Sequence, residues 1–163
     1  MIFVSTGSRK HPFDRLIKKL DELAGNDLIQ DEIFAQIAET KYIPKNFSYS
    51  RYLSAEEFTK CQDEADIIIS HAGTGALIGA LKKGKQVIAV PRLAVYNEHS
   101  DDHQLQISEV LTSGGYLRQV LDMEELGRVI EQCKKDPIVK KYDRQSNIIG
   151  IIENFIEKEF FDK

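Results

Sequence analysis

Residues 66–80 read Asp66-Ile67-Ile68-Ile69-Ser70-His71-Ala72-Gly73-Thr74-Gly75-Ala76-Leu77-Ile78-Gly79-Ala80. The apolar β-branched run that opens this stretch lacks polar alternation, which is typical of a strand buried on both faces of a parallel sheet. Small and aliphatic residues after the Gly/Thr turn predict a helix. Gly73 and Gly75 allow a bound group to approach the backbone, and the helix N-terminus would direct its N–H groups at an anion. The stretch therefore predicts a diphosphate-binding turn, the alternative being a βα turn whose glycines serve packing alone.

Strands and helices alternate on both sides of this stretch. Strands are predicted at residues 2–5, 33–38, 47–53, 86–90 and 116–120, and helices at 12–24, 54–64, 103–111, 122–134 and 137–161. This alternation predicts an α/β domain with a doubly wound parallel sheet, in which ligands bind where the strand order reverses. If the strands before loops 6–10 and 71–75 are neighbours in the sheet, both loops reach one crevice.

The composition restricts the function classes. The chain has 163 residues, 42% of them hydrophobic and 29% charged, which predicts one soluble globular domain. A net charge of −4 argues against a general nucleic-acid binder. Cys61 and Cys133 have no metal-binding spacing and favour a reducing cytoplasm. Since no apolar run approaches the roughly 20 residues of a membrane span, a membrane role would require a partner or a surface patch.

The glycine spacing invites comparison with a dinucleotide-binding fingerprint. Gly73, Gly75 and Gly79 fit that motif poorly, because they lie in the middle of the chain and the final spacing is one residue too long. The next predicted strand ends at Pro91 rather than at an acidic ribose ligand. NAD binding is therefore not favoured.

A polar run follows the predicted strand at 86–90, where residues 91–104 read PRLAVYNEHSDDHQ. A carboxylate or amide in the first turn of the next helix suits the hydroxyls of a ribose or hexose. Asp101 and Asp102 have the alternative role of capping that helix. A metal site would need His99, His103 and an aspartate to converge. No cysteine supports it, so no metal is predicted.

Three motifs occur in order over residues 1–120: Phe3-Val4-Ser5-Thr6-Gly7, then Ile68 to Gly75, then Val90-Pro91-Arg92 followed by Glu98-His99 and Asp101-Asp102-His103-Gln104. With them the chain resembles the carboxyl-terminal, donor-binding half of family 28 glycosyltransferases. It resembles in particular the short members that work as split pairs. These are the catalytic subunit of the dolichol-linked N-acetylglucosaminyltransferase and bacterial exopolysaccharide subunits.

The resemblance implies one Rossmann-like half of a GT-B glycosyltransferase, which holds a UDP-sugar without a required metal. Arg9 and a helix N-terminus would stabilise the departing diphosphate, and Gln104 would bind sugar hydroxyls. Family members commonly carry Glu, for ribose, where this chain has Gly79, which leaves Glu98 as a substitute. His71 is the in-chain catalytic candidate, expected to orient the diphosphate or else to be structural. The implied donor-binding residues are Thr6, Gly7, Ser8, Arg9, His71, Ala72, Gly73, Thr74, Gly75, Glu98, Asp102, His103 and Gln104.

The acceptor site and the base lie on the other half in full-length relatives, so the resemblance implies a membrane-associated, acceptor-binding partner subunit. The expected reaction moves a hexose or hexosamine from a UDP-sugar to a lipid-diphosphate-linked acceptor in exopolysaccharide or glycan assembly. The chain would be cytoplasmic, at the inner face of the membrane through its partner. The apolar helical segment at 137–163 would dock on that partner or pack on its own sheet.

Three other functions are open to such a sequence. One is a regulatory subunit that binds a nucleotide-sugar without transferring it. An epimerase of the same architecture would need both halves in one chain. A metal-dependent hydrolase would be built on His99 and His103.

Overall fold

Six parallel strands form the centre of the molecule, in the order β3-β2-β1-β4-β5-β6. The computed structural model describes residues 1–8 and 10–143. The strands are β1 (Ile2–Ser5), β2 (Ile33–Gln36), β3 (Ser48–Ser50), β4 (Ile67–Ser70), β5 (Gln86–Ala89) and β6 (Arg118–Gln119). The helices are α1 (Asp14–Gly25), α2 (Ala55–Glu64), α3 (Thr74–Lys82), α4 (His103–Ser113) and α5 (Leu126–Lys135), with 3₁₀ turns at Ala94–Tyr96 and Met123–Glu125.

Two hydrophobic clusters cover the two faces of this sheet. Ile2 and Val4 of β1 pack with the apolar sides of α1 and α5. Phe3, between them in sequence, packs on the opposite face with residues of α3 and α4. Alternate side chains of a strand point to opposite faces, and both faces here are covered by helices, which explains the continuous apolar runs. The predicted doubly wound α/β architecture is confirmed.

The strand order reverses between β1 and β4. β1 pairs with β2 on one side and with β4 on the other, with Val4 opposite Ile69 and Ser5 opposite Ser70. The loops that begin at residues 6 and 71 therefore leave adjacent strands at the same edge. Their predicted convergence is confirmed, and the order of the strands is that of a Rossmann-like fold.

Local signals account for several element boundaries. The Ser54 hydroxyl accepts a hydrogen bond from the Glu57 N–H at 3.2 Å, and the Glu57 carboxylate accepts one from the Ser54 N–H at 2.8 Å. This capping box begins α2 at the predicted place. Strands predicted at 47–53 and 116–120 are shorter than expected, because β3 and β6 form the sheet edges and pair on one side only.

The carboxyl-terminal segment is only partly described. Residues 137–143 form no regular element. The predicted start of the final helix at residue 137 is therefore wrong, and the rest of the helical segment predicted over 137–163 falls on residues 144–163, which lie outside the described part of the chain. Within residues 1–8 and 10–143, none of the helices is long and apolar enough to cross a membrane.

Candidate functional site

A cleft of about 750 Å³ opens at the carboxyl edge of the sheet, above the junction of β1 and β4. This volume lies within the range of small-molecule sites, and the position is the one where doubly wound sheets bind ligands. The wall is built from the loops after β1, β4 and β5 and from the start of α2. Predicted site residues in the wall are Gly7, Ser8, His71, Gly73, Thr74, Gly75, His103 and Gln104.

The His71 imidazole lies between the two glycine loops. Its Nδ1 is 3.2 Å from the carbonyl oxygen of Ser5, so this nitrogen is assigned the proton and Nε2 faces the loops. A Cβ atom at Gly7 would lie 2.7 Å from Nε2, and one at Gly73 only 2.4 Å from it. Glycine is therefore needed at both positions, because the His71 side chain of the same protein packs so closely against them.

Two residues beside this ring have left-handed backbone conformations. Gly7 has φ +89° and Ala72 has φ +63°. Glycine adopts this region freely, whereas it costs a residue such as Ala72 on the order of 1–2 kcal/mol. Ala72 is fully buried in the apolar cluster below the loop. Packing thus holds the strained turn between β4 and α3, which directs the start of α3 toward the cleft.

The N-terminus of α3 faces the cleft. Its N-cap is Gly73, which has no side chain to cap the first-turn N–H groups. Thr74, Gly75 and Ala76 line the wall, and the first two are exposed. Uncapped N–H groups and the positive end of the helix dipole suit a negatively charged ligand. The helix predicted after the glycine-rich turn is thus confirmed, and the binding of a diphosphate at its N-terminus stays a prediction.

Arg92 supplies a buried positive charge behind the same cleft. The side chain is 1% exposed, and Nη2 donates to the carbonyl oxygen of Thr6 and, at 2.9 Å, to that of His11. Burial lowers the pKa of the guanidinium to about 10, while nearby Glu98 opposes that effect, so Arg92 remains charged at neutral pH. Sequence reasoning assigned Arg92 no role, although it lies in the third motif directly after the strand.

Gln104 approaches the cleft from α4. Its side chain is buried, and Oε1 accepts a hydrogen bond from the backbone N–H of Arg92 at 3.1 Å. Because the oxygen is used in this way, the NH₂ end of the amide is the part left for a ligand. His103 begins α4 beside it and is half exposed. The structure thus brings these two residues of the third motif into the cleft wall, together with Arg92 and His99.

Asp102 takes a different position. It is the N-cap residue of α4, and its carboxylate accepts a hydrogen bond from the backbone N–H of Ala94 at 2.9 Å. Asp102 therefore lies outside the cleft wall. It braces the loop between β5 and α4. The predicted contact with sugar hydroxyls therefore falls to Gln104 alone in this arrangement.

Glu98 also lies apart from the cleft. Its carboxylate accepts hydrogen bonds from Arg15 Nε at 2.8 and 3.0 Å, in a neighbouring depression formed with Pro12 and Tyr96. Burial raises the pKa of Glu98, and the charge of Arg15 opposes that rise. This carboxylate serves a contact between α1 and the loop after β5, and the structure does not bring it to the predicted ribose position.

The remaining predicted residues shape the loops. The Thr6 hydroxyl donates to the carbonyl oxygen of Gln36 at 3.1 Å, and Thr6 is fully buried outside the wall. Gln36 in turn donates to the carbonyl oxygen of Gly7 at 3.1 Å, a supporting role that no sequence motif indicated. Arg9 lies outside the described residues. Gly79 is not in the wall, and a Cβ there would meet the Gln62 amide at 3.6 Å.

The aspartate and histidines required for a metal site do converge. Ligand atoms of His99, Asp101 and His103 all lie within 4.8 Å of one another. Both histidines also line the cleft. The sequence spacing alone did not reveal this proximity, because residues 99–102 lie outside regular structure.

Comparison with known proteins agrees with the fold and the motifs. Residues 1–157 match the glycosyltransferase family 28 C-terminal domain. The human UDP-N-acetylglucosamine transferase subunit ALG13 is 27% identical over 125 residues, covering 71% of this chain and 10% of the human protein. The chain thus spans about a tenth of the length of that relative.

Solved structures share the architecture. A crystal structure of MurG from Acinetobacter baumannii superimposes with a TM-score of 0.64 at 18% identity, covering 96% of this chain and 49% of that one. An NMR structure of ALG13 gives a TM-score of 0.60 at 16% identity, covering 98% of this chain and 96% of that one. At these identities the likeness establishes the fold alone. The match across residues 1–157 shows that the chain belongs to the glycosyltransferase family 28 C-terminal domain family.

Proposed function

We propose that this chain binds a UDP-sugar and is the donor-side subunit of a two-chain glycosyltransferase. The observation that carries the proposal is the cleft at the strand reversal, where the uncapped start of α3 and the buried charge of Arg92 meet. Both features suit a diphosphate. The name of the human relative, a UDP-N-acetylglucosamine transferase subunit, supports UDP-N-acetylglucosamine as the first donor to test.

The proposed chemistry assigns separate parts of the cleft to the leaving group and the sugar. When the anomeric C–O bond breaks, its electron pair stays on the diphosphate, and negative charge grows on UDP. The N–H groups of α3 and the charge of Arg92 would stabilise that charge. His71 would hold the glycine loops in position and orient the diphosphate, while the Gln104 NH₂ group would donate to a sugar hydroxyl. No metal is required in this scheme.

The acceptor oxygen bonds to the anomeric carbon and gives its proton to a base. Among the described residues, the cleft wall contains no carboxylate. Three histidines line the wall, but the resemblance to two-domain relatives puts the base and the acceptor site on the other half. We therefore place both on a membrane-associated partner subunit, which would hold this chain at the cytoplasmic face. A lipid-diphosphate-linked acceptor in glycan or exopolysaccharide assembly completes the proposal.

The described wall also suits one competing function, because the features assigned to the diphosphate would serve binding without transfer. A regulatory subunit that binds a nucleotide-sugar without transferring it would need the diphosphate site but no base. Donor binding is common to both functions, and only transfer separates them.

Calorimetric titration of the purified chain with UDP tests donor binding, with chelator present and with ADP and NAD as controls. We expect selective binding of UDP. Failure of UDP and of UDP-N-acetylglucosamine to bind would overturn the proposal. In a second step, the chain is added to membranes of its host with radiolabelled UDP-N-acetylglucosamine. Label that enters the lipid fraction only when the chain is present supports the transferase, and its absence despite donor binding supports the regulatory subunit.

A further inference from the structure

Three side chains with metal-ligand chemistry meet at the rim of the cleft. Asp101 Oδ1 is 3.3 Å from His99 Nδ1 and is also hydrogen-bonded to His103 Nδ1. The two imidazole rings are 4.7 Å apart between centroids and are inclined at 67°. The donor scheme proposed above uses neither Asp101 nor the pairing of these two rings.

The spacing of these atoms suits a small cation. In a tetrahedral site with ligands about 2.1 Å from the ion, two ligand atoms are about 3.4 Å apart. The separation of 3.3 Å between His99 and Asp101 is close to that value, and all three ligand atoms lie within 4.8 Å of one another. For an ion to enter, the hydrogen bond between Asp101 Oδ1 and His103 Nδ1 has to open, and so does the one that His99 Nδ1 accepts from the backbone N–H of Asp101 at 3.3 Å.

The cluster combines one fixed ligand with two adjustable ones. The side chain of His99 is 4% exposed, and its ring stacks on that of His11 with a centroid distance of 5.0 Å. Asp101 and His103 are 59% and 47% exposed, so they are free to rearrange around an ion. A rigid first ligand lowers the conformational entropy lost when the site closes.

We propose that His99, Asp101 and His103 bind a divalent transition-metal ion at the rim of the cleft. Two imidazoles and one carboxylate favour zinc, cobalt or nickel over magnesium, which prefers oxygen ligands alone. A bound ion would lie beside the cleft, because His99 and His103 both line it. The ion would place positive charge beside a bound diphosphate and raise its affinity, although donor binding does not require the ion.

Cobalt titration of the full-length chain, without a histidine tag, tests the site directly. We expect one equivalent of Co²⁺ to produce visible ligand-field absorption, and Zn²⁺ to displace it. The Asp101→Asn and His103→Ala variants change exposed side chains and should each weaken binding at least tenfold. Asp136→Asn, a matched change at a carboxylate that is 93% exposed, should bind like the wild type.

Two results would overturn the site. One is the lack of stoichiometric cobalt absorption in the wild type, and the other is unchanged binding in both cluster variants, which would assign the ion to different groups. UDP titrations with Zn²⁺ and with chelator test whether the ion acts on a ligand in the cleft. We expect Zn²⁺ to raise UDP affinity several-fold, and equal UDP affinities in the two titrations would refute this link. The cobalt titration contains no nucleotide, so its outcome does not depend on whether the chain binds UDP.

Discussion

The imidazole of His71 occupies the space that a side chain on Gly73 would need. A Cβ built on Gly73 would lie 2.4 Å from Nε2, and one on Gly7 would lie 2.7 Å from the same atom. The ring is thus held between the loops after β1 and β4, and its Nδ1 faces the Ser5 carbonyl oxygen. Glycine at these two positions is required by a contact inside the protein, in addition to any contact with a ligand.

Gly73→Ala should displace the His71 ring and lower UDP affinity about tenfold, which corresponds to about 1.4 kcal/mol. Gly79→Ala is the matched control on the same helix. A Cβ there makes ordinary contact with Gln62 at 3.6 Å. The control should gain about 0.5–1 kcal/mol of stability, because alanine is the better helix residue. Titration and thermal unfolding of both variants check this. Wild-type affinity in Gly73→Ala would contradict the role given to the ring.

Arg92→Gln should weaken both the fold and donor binding. The substitution removes the donor to two backbone carbonyls, those of Thr6 and His11. Leaving these acceptors unpaired costs about 2–4 kcal/mol of unfolding free energy in total. UDP affinity should fall more than tenfold, because the positive charge behind the cleft is lost as well.

Two further arginine variants separate the contributions of Arg92. Arg128→Gln removes the same charge from a surface residue that pairs with Glu125, and it should leave UDP binding unchanged. Arg92→Lys keeps the positive charge but loses the planar guanidinium group. Its UDP affinity should therefore lie between those of the wild type and Arg92→Gln, while its fold remains less stable than the wild type. Urea unfolding and calorimetry measure the two effects. Equal loss of affinity in Arg92→Lys and Arg92→Gln would show that the charge itself is unimportant.

Gln104→Ala should affect the sugar more than the nucleotide. The amide oxygen of Gln104 is tied to the Arg92 backbone, so its NH₂ group is the expected donor to a sugar hydroxyl. Losing one hydrogen bond lowers affinity for UDP-N-acetylglucosamine about three- to tenfold. Affinity for UDP should change much less. Gln106→Ala, an exposed glutamine on the same helix, is the control. An equal loss for UDP and its sugar would place Gln104 at the nucleotide instead.

Asp21 should make stability depend on pH. It is buried on α1 and accepts hydrogen bonds from the Tyr42 hydroxyl at 2.7 Å and from the N–H groups of Lys45 and Asn46 at 2.8 Å. Burial alone would raise the pKa of Asp21, but these bonds favour the charged form and lower the pKa below its usual 3.8. The stabilisation is therefore present above pH 3.8 and is lost as pH falls through the lowered pKa.

Asp21→Asn should lose about 2–4 kcal/mol of unfolding free energy near neutral pH, because it weakens several charge-assisted hydrogen bonds. The difference from wild type should shrink as the solution is acidified below pH 3.8. Urea unfolding at a series of pH values measures both quantities. The exposed Asp136→Asn variant should show neither effect. A difference that stays constant with pH would mean that the charge of Asp21 does not stabilise the fold.

Local sequence signals were sufficient for most of the elements and for their order along the chain. Three such signals are the apolar run at 67–69, the capping box at Ser54 and the glycine turn before α3. Each involves only a few neighbouring residues, so it can be recognised in the sequence without knowledge of the fold. The alternation of strands and helices also indicated the doubly wound sheet. The edge strands were predicted too long, because pairing on one side only depends on neighbours that a local pattern does not specify.

By itself, the sequence determined the architecture, the glycine loops and the cluster of polar residues after β5. Only the tertiary structure decided which of those polar side chains reach the cleft. Glu98 pairs with Arg15, which is 83 residues away in the sequence, and its side chain lies outside the cleft. Arg92 instead donates to the Thr6 carbonyl oxygen, 86 residues away, and is buried behind the cleft. The direction of a loop side chain depends on partners that folding brings from distant parts of the chain, and no local pattern encodes those partners.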